Sequence, residues 1–241
     1  MQSKTKPVKH LLLLCTSPGF GLVDAWLPVI RKLIEAGDVK IDFVFPDPSA
    51  LRLADRNSIL FKLTERFANN KVMYKGYSGH FFVASTLTEA CDGIKINKID
   101  LKILSFSKRL IKGKMSRYFI LKVIGKYLLA VFKCISYVKE NIGHNKLLDF
   151  NLLNNIDAVL CNIVSVHKIL DKELTSKIKE VQKFSMLGSL GVSWVKNDTT
   201  DCKQFVTKRS DVIVYSMSHL ELNWYKKCFM ILEKNIVNVG I

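Results

Sequence analysis

Short unbroken apolar runs alternate along the chain with longer stretches in which apolar side chains recur every three or four residues. The first run, residues 11–15, is closed by Thr16-Ser17-Pro18-Gly19-Phe20-Gly21. From Asp24 to about Ala36, Trp26, Val29, Ile30, Leu33 and Ile34 fall at helical spacing, with Gly37 as the stop. Residues 41–45 read as a second strand, closed by Pro46-Asp47-Pro48. A strand–helix–strand opening of this kind requires a right-handed crossover and a parallel sheet. The alternation returns later, with strands at 158–161, 184–187, 212–215 and 236–239. Helices are expected between them at about 166–182, 200–208 and 218–233, the last opened by the capping pattern Ser218-His219-Leu220-Glu221. Between 49 and 100 the pattern is looser: a helix at 59–67, short strands at 72–74 and 81–83, and turns at Gly76, Gly79 and Gly93. The expected fold is α/β, a doubly wound and mostly parallel Rossmann-like sheet with flanking helices, in one domain covering residues 1–241.

Residues 101–146 break the pattern. Eleven Lys and Arg face one acid, Glu140, so this segment carries +10 of the formal net charge of +16. Within it, 117–138 sets Lys122, Lys126 and Lys133 among aliphatic and aromatic residues, inside about 40° of a helical wheel. That is an amphipathic helical insertion with a basic stripe. A lysine held in the hydrocarbon core costs about 2.5–3.5 kcal/mol, so the helix is not expected to span a bilayer. Lying on an anionic membrane surface suits it, as does packing on its own domain with the charges in water. No aromatic RNA-binding motif, zinc finger or helix-turn-helix pattern accompanies the charge, so nucleic acid is not an expected partner.

Composition narrows the class further. At 49% apolar with 12 Gly and 5 Pro, the chain is neither disordered nor collagen-like. Charges interrupt every stretch of about 18 residues, which excludes a polytopic membrane protein. The six cysteines, at 15, 91, 134, 161, 202 and 228, include no CxxC pair and no zinc-spaced histidine, so neither a metal site nor a disulfide framework is expected. This usage points to the cytoplasm. The basic N-terminus precedes an apolar run shorter than the usual signal-peptide core of about 7–15 residues, and reads as a first core strand.

In an open parallel sheet, ligands bind beyond the carboxyl ends of the strands. That selects the loops at 16–24, 46–48, 162–167, 188–194 and 216–219. In the first, Pro18, Gly19, Phe20 and Gly21 form a candidate ligand loop whose glycines allow close backbone approach before a helix N-terminus. The third glycine of a dinucleotide fingerprint is missing, so no nicotinamide cofactor is expected. Asp24 either caps its helix, placing Pro28 in the first turn, or meets a ligand as a catalytic carboxylate. Gly188, Ser189 and Gly191 form a second candidate loop and Ser216 a third position. Ser189 lacks the context of a nucleophile. Among the histidines, His80 in a glycine-containing loop and His219 at a helix start are candidates for a general base, with a structural role as the alternative for each. His167 shares that ambiguity, and Asp47 reads as a turn cap.

With these residues in view, the layout resembles the N-terminal half of GT-B-fold glycosyltransferases and the related nucleotide-sugar 2-epimerases. The resemblance rests on 11–21, on the helix ending at Ala36-Gly37, and on 41–46. It rests further on Ser210-Asp211-Val212-Ile213-Val214-Tyr215-Ser216, a helix, and Asn235-Ile236-Val237-Asn238-Val239-Gly240-Ile241. It covers 8–48 and 156–241 and leaves the middle unmatched. It implies sugar transfer from a nucleotide-sugar co-substrate, with an acceptor-binding N-terminal domain and the donor held by a C-terminal domain beyond Ile241 or on a separate subunit. No cofactor bound by this chain is implied. Leu22 and Leu187-Gly188 stand where the family often has histidine, so its usual base does not carry over. The combined expectation is the acceptor-side domain of a cytoplasmic glycosyltransferase, peripheral at the inner face of the membrane, receiving a saccharide or lipid-linked acceptor for surface carbohydrate. A 2-epimerase and a non-catalytic anchoring subunit of a two-chain transferase are the alternatives.

Overall fold

Unbroken apolar runs form strands here because both of their faces are covered. In the computed structural model, residues 9–15, 21–37, 39–67, 71–113, 117–142, 145–161, 172–185, 212–216, 226 and 232–238 are described. Strands β1 (Lys9–Leu14), β2 (Val39–Phe45), β3 (Val72–Lys75), β4 (Phe81–Ala84), β5 (Lys146–Leu147), β6 (Ala158–Cys161), β7 (Gln182–Ser185), β8 (Val212–Ser216) and β9 (Ile236–Asn238) make one sheet. Its order is β5-β4-β3-β2-β1-β6-β7-β8-β9. Pairing is parallel except at β3–β4 and β4–β5, where the sheet closes with a hairpin and a two-residue edge.

Successive residues of each strand point to opposite faces, and two apolar cores follow. On one face Leu11, Leu13, Ile41, Phe43 and Tyr74 meet Trp26 and Ile30 of α1 (Gly21–Glu35), Ala50 and Leu51 of α2 (Pro48–Arg52), Phe61 of α3 (Ile59–Phe67) and Leu87 of α4 (Leu87–Gly93). On the other, Leu12, Leu14, Val44, Met73 and Val159 meet Leu153, Ile178 and Leu174 of α7 (Lys172–Lys177). Helices on both faces of a mostly parallel sheet give the expected α/β, Rossmann-like architecture. At the amino ends, polar groups tie the central strands. The His10 amide donates to Asp157 Oδ2 at 2.7 Å, and His10 Nε2 lies 2.8 Å from Oδ2 of the buried Asp42.

The basic segment is a helical hairpin, α5 (Lys98–Lys112) and α6 (Phe119–Ile142). Lys139, near the end of α6, pairs with Asp100, near the start of α5, at 2.5 Å, so the helices run antiparallel. They approach closely at Gly125, where a Cβ would lie 2.8 Å from Leu110 Cβ, 3.0 Å from Ile111 Cγ1 and 3.1 Å from the Ser107 carbonyl oxygen.

Some expectations need correction. Helix α1 begins at Gly21, so Asp24 sits inside its first turn instead of capping it, and Pro28 lies in the helix interior. Without an N–H, Pro28 cannot bond the Asp24 carbonyl. Strand β7 begins at Gln182, two residues before the apolar run, while residues 186–187 of the expected strand lie outside the described residues. The expected helix at 200–208 lies outside the described residues, as do all but Lys226 and Leu232–Glu233 of that at 218–233.

Replacing Gly125 by Leu is expected to force the two helices apart and to lower unfolding stability by about 1–3 kcal/mol in denaturant titrations. An unchanged midpoint would show that α5 does not rest on this face of α6.

Candidate functional site

Because the central strands are parallel, their carboxyl ends gather at one rim of the sheet. Cys15 follows β1, Asp47 follows β2, the turn Gly76–His80 follows β3, and Cys161 and Ser216 end β6 and β8. Strand order reverses between β1 and β6, the position at which such sheets form a crevice. Trp26 marks it, its Nε1 donating to the Cys161 carbonyl at 3.4 Å. An aromatic row continues from there: Tyr215 meets Trp26 edge-on at 6.4 Å between ring centroids and stacks on Phe184 at 6.2 Å. Cys15, just past the carboxyl end of β1, is no nucleophile, since burial pushes its thiol well above the ordinary range.

The second constellation on the rim is built around Glu140. The turn after β3 closes by Gly76 N–H to the His80 carbonyl at 2.8 Å, with Gly79 at φ +95°, a left-handed value that favours glycine. Glu140, on the last turns of α6, is 2% exposed and reaches into this turn. Its Oε1 accepts from the Tyr77 amide at 2.6 Å, and its Oε2 from the Ser78 hydroxyl at 2.6 Å and the Ser78 amide at 3.4 Å. A Cβ on Gly76 would overlap that carboxylate, so the clamp needs glycine there. Burial pushes the Glu140 carboxyl above its ordinary value. The Ser78 hydroxyl, the two amides and the charge of His80 pull it partly back. Burial likewise raises the Tyr77 hydroxyl, opposed by the Arg52 guanidinium.

A carboxylate with three donors is a clamp, not an available base. His80 is the exposed histidine of this cluster, and its ring lies 5.0 Å from that of Tyr137. Lys133 joins it, with Nζ 3.9 Å from where a Gly79 Cβ would be.

The remaining expected residues are dispersed. Asp24 is exposed on the first turn of α1, where negative charge is favourable near the N–H groups, and it lines a groove of 830 Å³ with Leu27, Arg31, Leu63 and Phe67 between α1 and α3. Ser216 is fully buried, opposite Asn238. It lies six strand positions from β4, about 29 Å at the usual spacing, so it cannot share a reacting bond with His80. Gly21 opens α1. Pro18, Gly19, Phe20, Gly188, Ser189, Gly191 and His219 lie outside the described residues. Lys122, Lys126 and Lys133 are exposed on α6. Asp47 is the expected cap, its Oδ1 accepting from the Ser49 amide at 2.8 Å. Sequence reasoning missed the role of Glu140. Its signal was present, a single acid in a basic segment, but nothing local to it names the turn 62 residues away.

Comparison with protein-family models, with curated proteins and with solved structures returns no significant match. Among the described residues no three His, Cys, Asp or Glu side chains group as metal ligands.

The raised Glu140 pKa fixes the sign of a pH effect. The folded state holds this proton more tightly than the unfolded chain, so the contribution of Glu140 is greatest below the ordinary value of 4.5 and falls as pH rises through the raised one. The melting-temperature advantage of the wild type over Glu140→Gln is therefore expected to shrink as pH rises through that window. An advantage that grows would mean the cradle favours the ionised form.

Proposed function

We propose that this chain is the acceptor-side domain of a GT-B-type glycosyltransferase, moving a sugar from a nucleotide-sugar to a saccharide acceptor for surface carbohydrate. The observation that carries the reading is the half-buried stacked pair Phe184 and Tyr215, backed by the buried Trp26, near the reversal of strand order at β1 and β6. Pyranose rings present a face of C–H groups, and half-buried aromatic faces bind it while the polar rim accepts hydroxyls. Tyr215 lies on β8, within the stretch Ser210 to Ser216 on which the family resemblance rests. In this reading the crevice receives the acceptor, the donor nucleotide is held by a further domain or subunit, and the chain itself holds no cofactor.

Saturation-transfer NMR tests the proposal, with a panel of oligosaccharides as probes. Saturation is expected to pass from the protein to pyranose C–H protons of at least one of them. Phe184→Ala is expected to weaken that binding roughly tenfold, the order of one lost aromatic contact, with the circular dichroism spectrum unchanged. Absence of transfer to every saccharide, or conversion of a nucleotide-sugar without any acceptor, would overturn it, the latter in favour of the epimerase.

A further inference from the structure

A helix packed on a domain normally hides its apolar face; α6 leaves a second one in the open. Its inward side is formed by Gly125, Phe132, Ser136 and Glu140. Phe119, Val123, Tyr127, Val131, Ile135 and Ile142 are exposed instead, Phe119 and Ile142 at 79% and Tyr127 at 69%. On a helical wheel these six cover an arc of about 160°. At 1.5 Å per residue they extend over about 35 Å of helix. Lys122, Lys126 and Lys133 border this arc within about 60° of Phe119. The helix therefore shows water a long apolar strip edged by cations.

The charge of the segment is as one-sided as its shape. Glu140, its only acid, is turned inward and consumed by the turn after β3, so no carboxylate of 101–146 faces outward. No described helix is long and apolar enough to cross a membrane. A second copy of the chain is a poor occupant, since pairing would bring two segments of net +10 together.

We propose that the outer face of α6 docks on an anionic lipid bilayer, lying in the interface with its apolar arc among the acyl chains and its lysines among the headgroups. Such helices sink about 5–10 Å into the headgroup boundary, a depth the protruding aromatic and branched side chains match. Docking also sets the position of the rim described above. The Glu140 clamp joins the last turns of α6 to the turn carrying His80, so the bound surface holds that end of the sheet near the headgroups. This inference stands independently of the transferase reading, which concerns the crevice at β1 and β6.

Sedimentation of the intact chain with vesicles of phosphatidylcholine, with and without phosphatidylglycerol, tests it. Binding is expected only with the anionic lipid and is expected to weaken at high salt. A lysine near an anionic surface is worth roughly a fivefold change in partition, so Lys122→Glu, Lys126→Glu and Lys133→Glu together are expected to lower binding at least a hundredfold. A charge-matched variant with Lys62→Glu, Lys172→Glu and Lys179→Glu, all exposed away from the hairpin, is expected to bind as the wild type does. Tyr127→Ser with Val131→Ser is expected to lose at least tenfold, reading the apolar arc separately from the charge. Equal loss in both charge variants, unchanged binding in the first, or a stable dimer by light scattering that Val131→Ser dissolves would each overturn the proposal.

Discussion

A parallel sheet has no face to spare for water, and that constraint orders this molecule. Leu12, Leu13 and Leu14 are wholly buried although their side chains point alternately to opposite sides, because helices cover both. With both faces closed, a ligand can reach the central strands only at their ends. The carboxyl-end rim is therefore where chemistry can be placed, and the amino end is free for purely structural polar contacts such as His10 with Asp42 and Asp157.

Glu140 connects the basic hairpin to the carboxyl-end rim of the sheet. It fastens a basic, apolar-faced hairpin to the rim by hydrogen bonds that leave little carboxylate capacity unused. The ion pair of Lys139 with Asp100 joins the two helices of the hairpin to each other and does not fasten them to the sheet. The same withdrawal that satisfies the carboxylate removes negative charge from the outer surface. One side chain thus both ties α6 to the rim and withdraws the only negative charge of segment 101–146.

What could be read from the chain follows from which interactions are local. Strands buried on both faces are continuous apolar runs, so 11–15, 41–45 and 158–161 are legible in the chain itself. Helices α2 and α4 are not, since each is short and owes its start to one capping side chain, Asp47 or Thr86, instead of to periodicity. Charge patterning revealed the basic insertion but not its division at Gly113 into two antiparallel helices. The site was legible by rule and not by partner. Strand ends named Ser216 as a candidate and a glycine-containing loop named His80, yet only the strand order shows that six positions of sheet separate them. The Glu140 clamp was invisible because a residue's own neighbourhood carries no mark of the turn it will meet.

The pairing of β1 with β6 has a kinetic consequence. The contact that fixes the centre of the sheet joins residues 147 positions apart, His10 and Asp157, whereas α5 and α6 meet through a short connection. During synthesis the first strand must wait for most of the chain before its second neighbour exists, while the hairpin can assemble from residues that emerge together. The apolar, lysine-edged helix can therefore form before the sheet centre, whose β6 begins only after α6 has ended. An unfinished molecule can thus already present the exposed apolar side chains of α6, a surface open to other nascent chains.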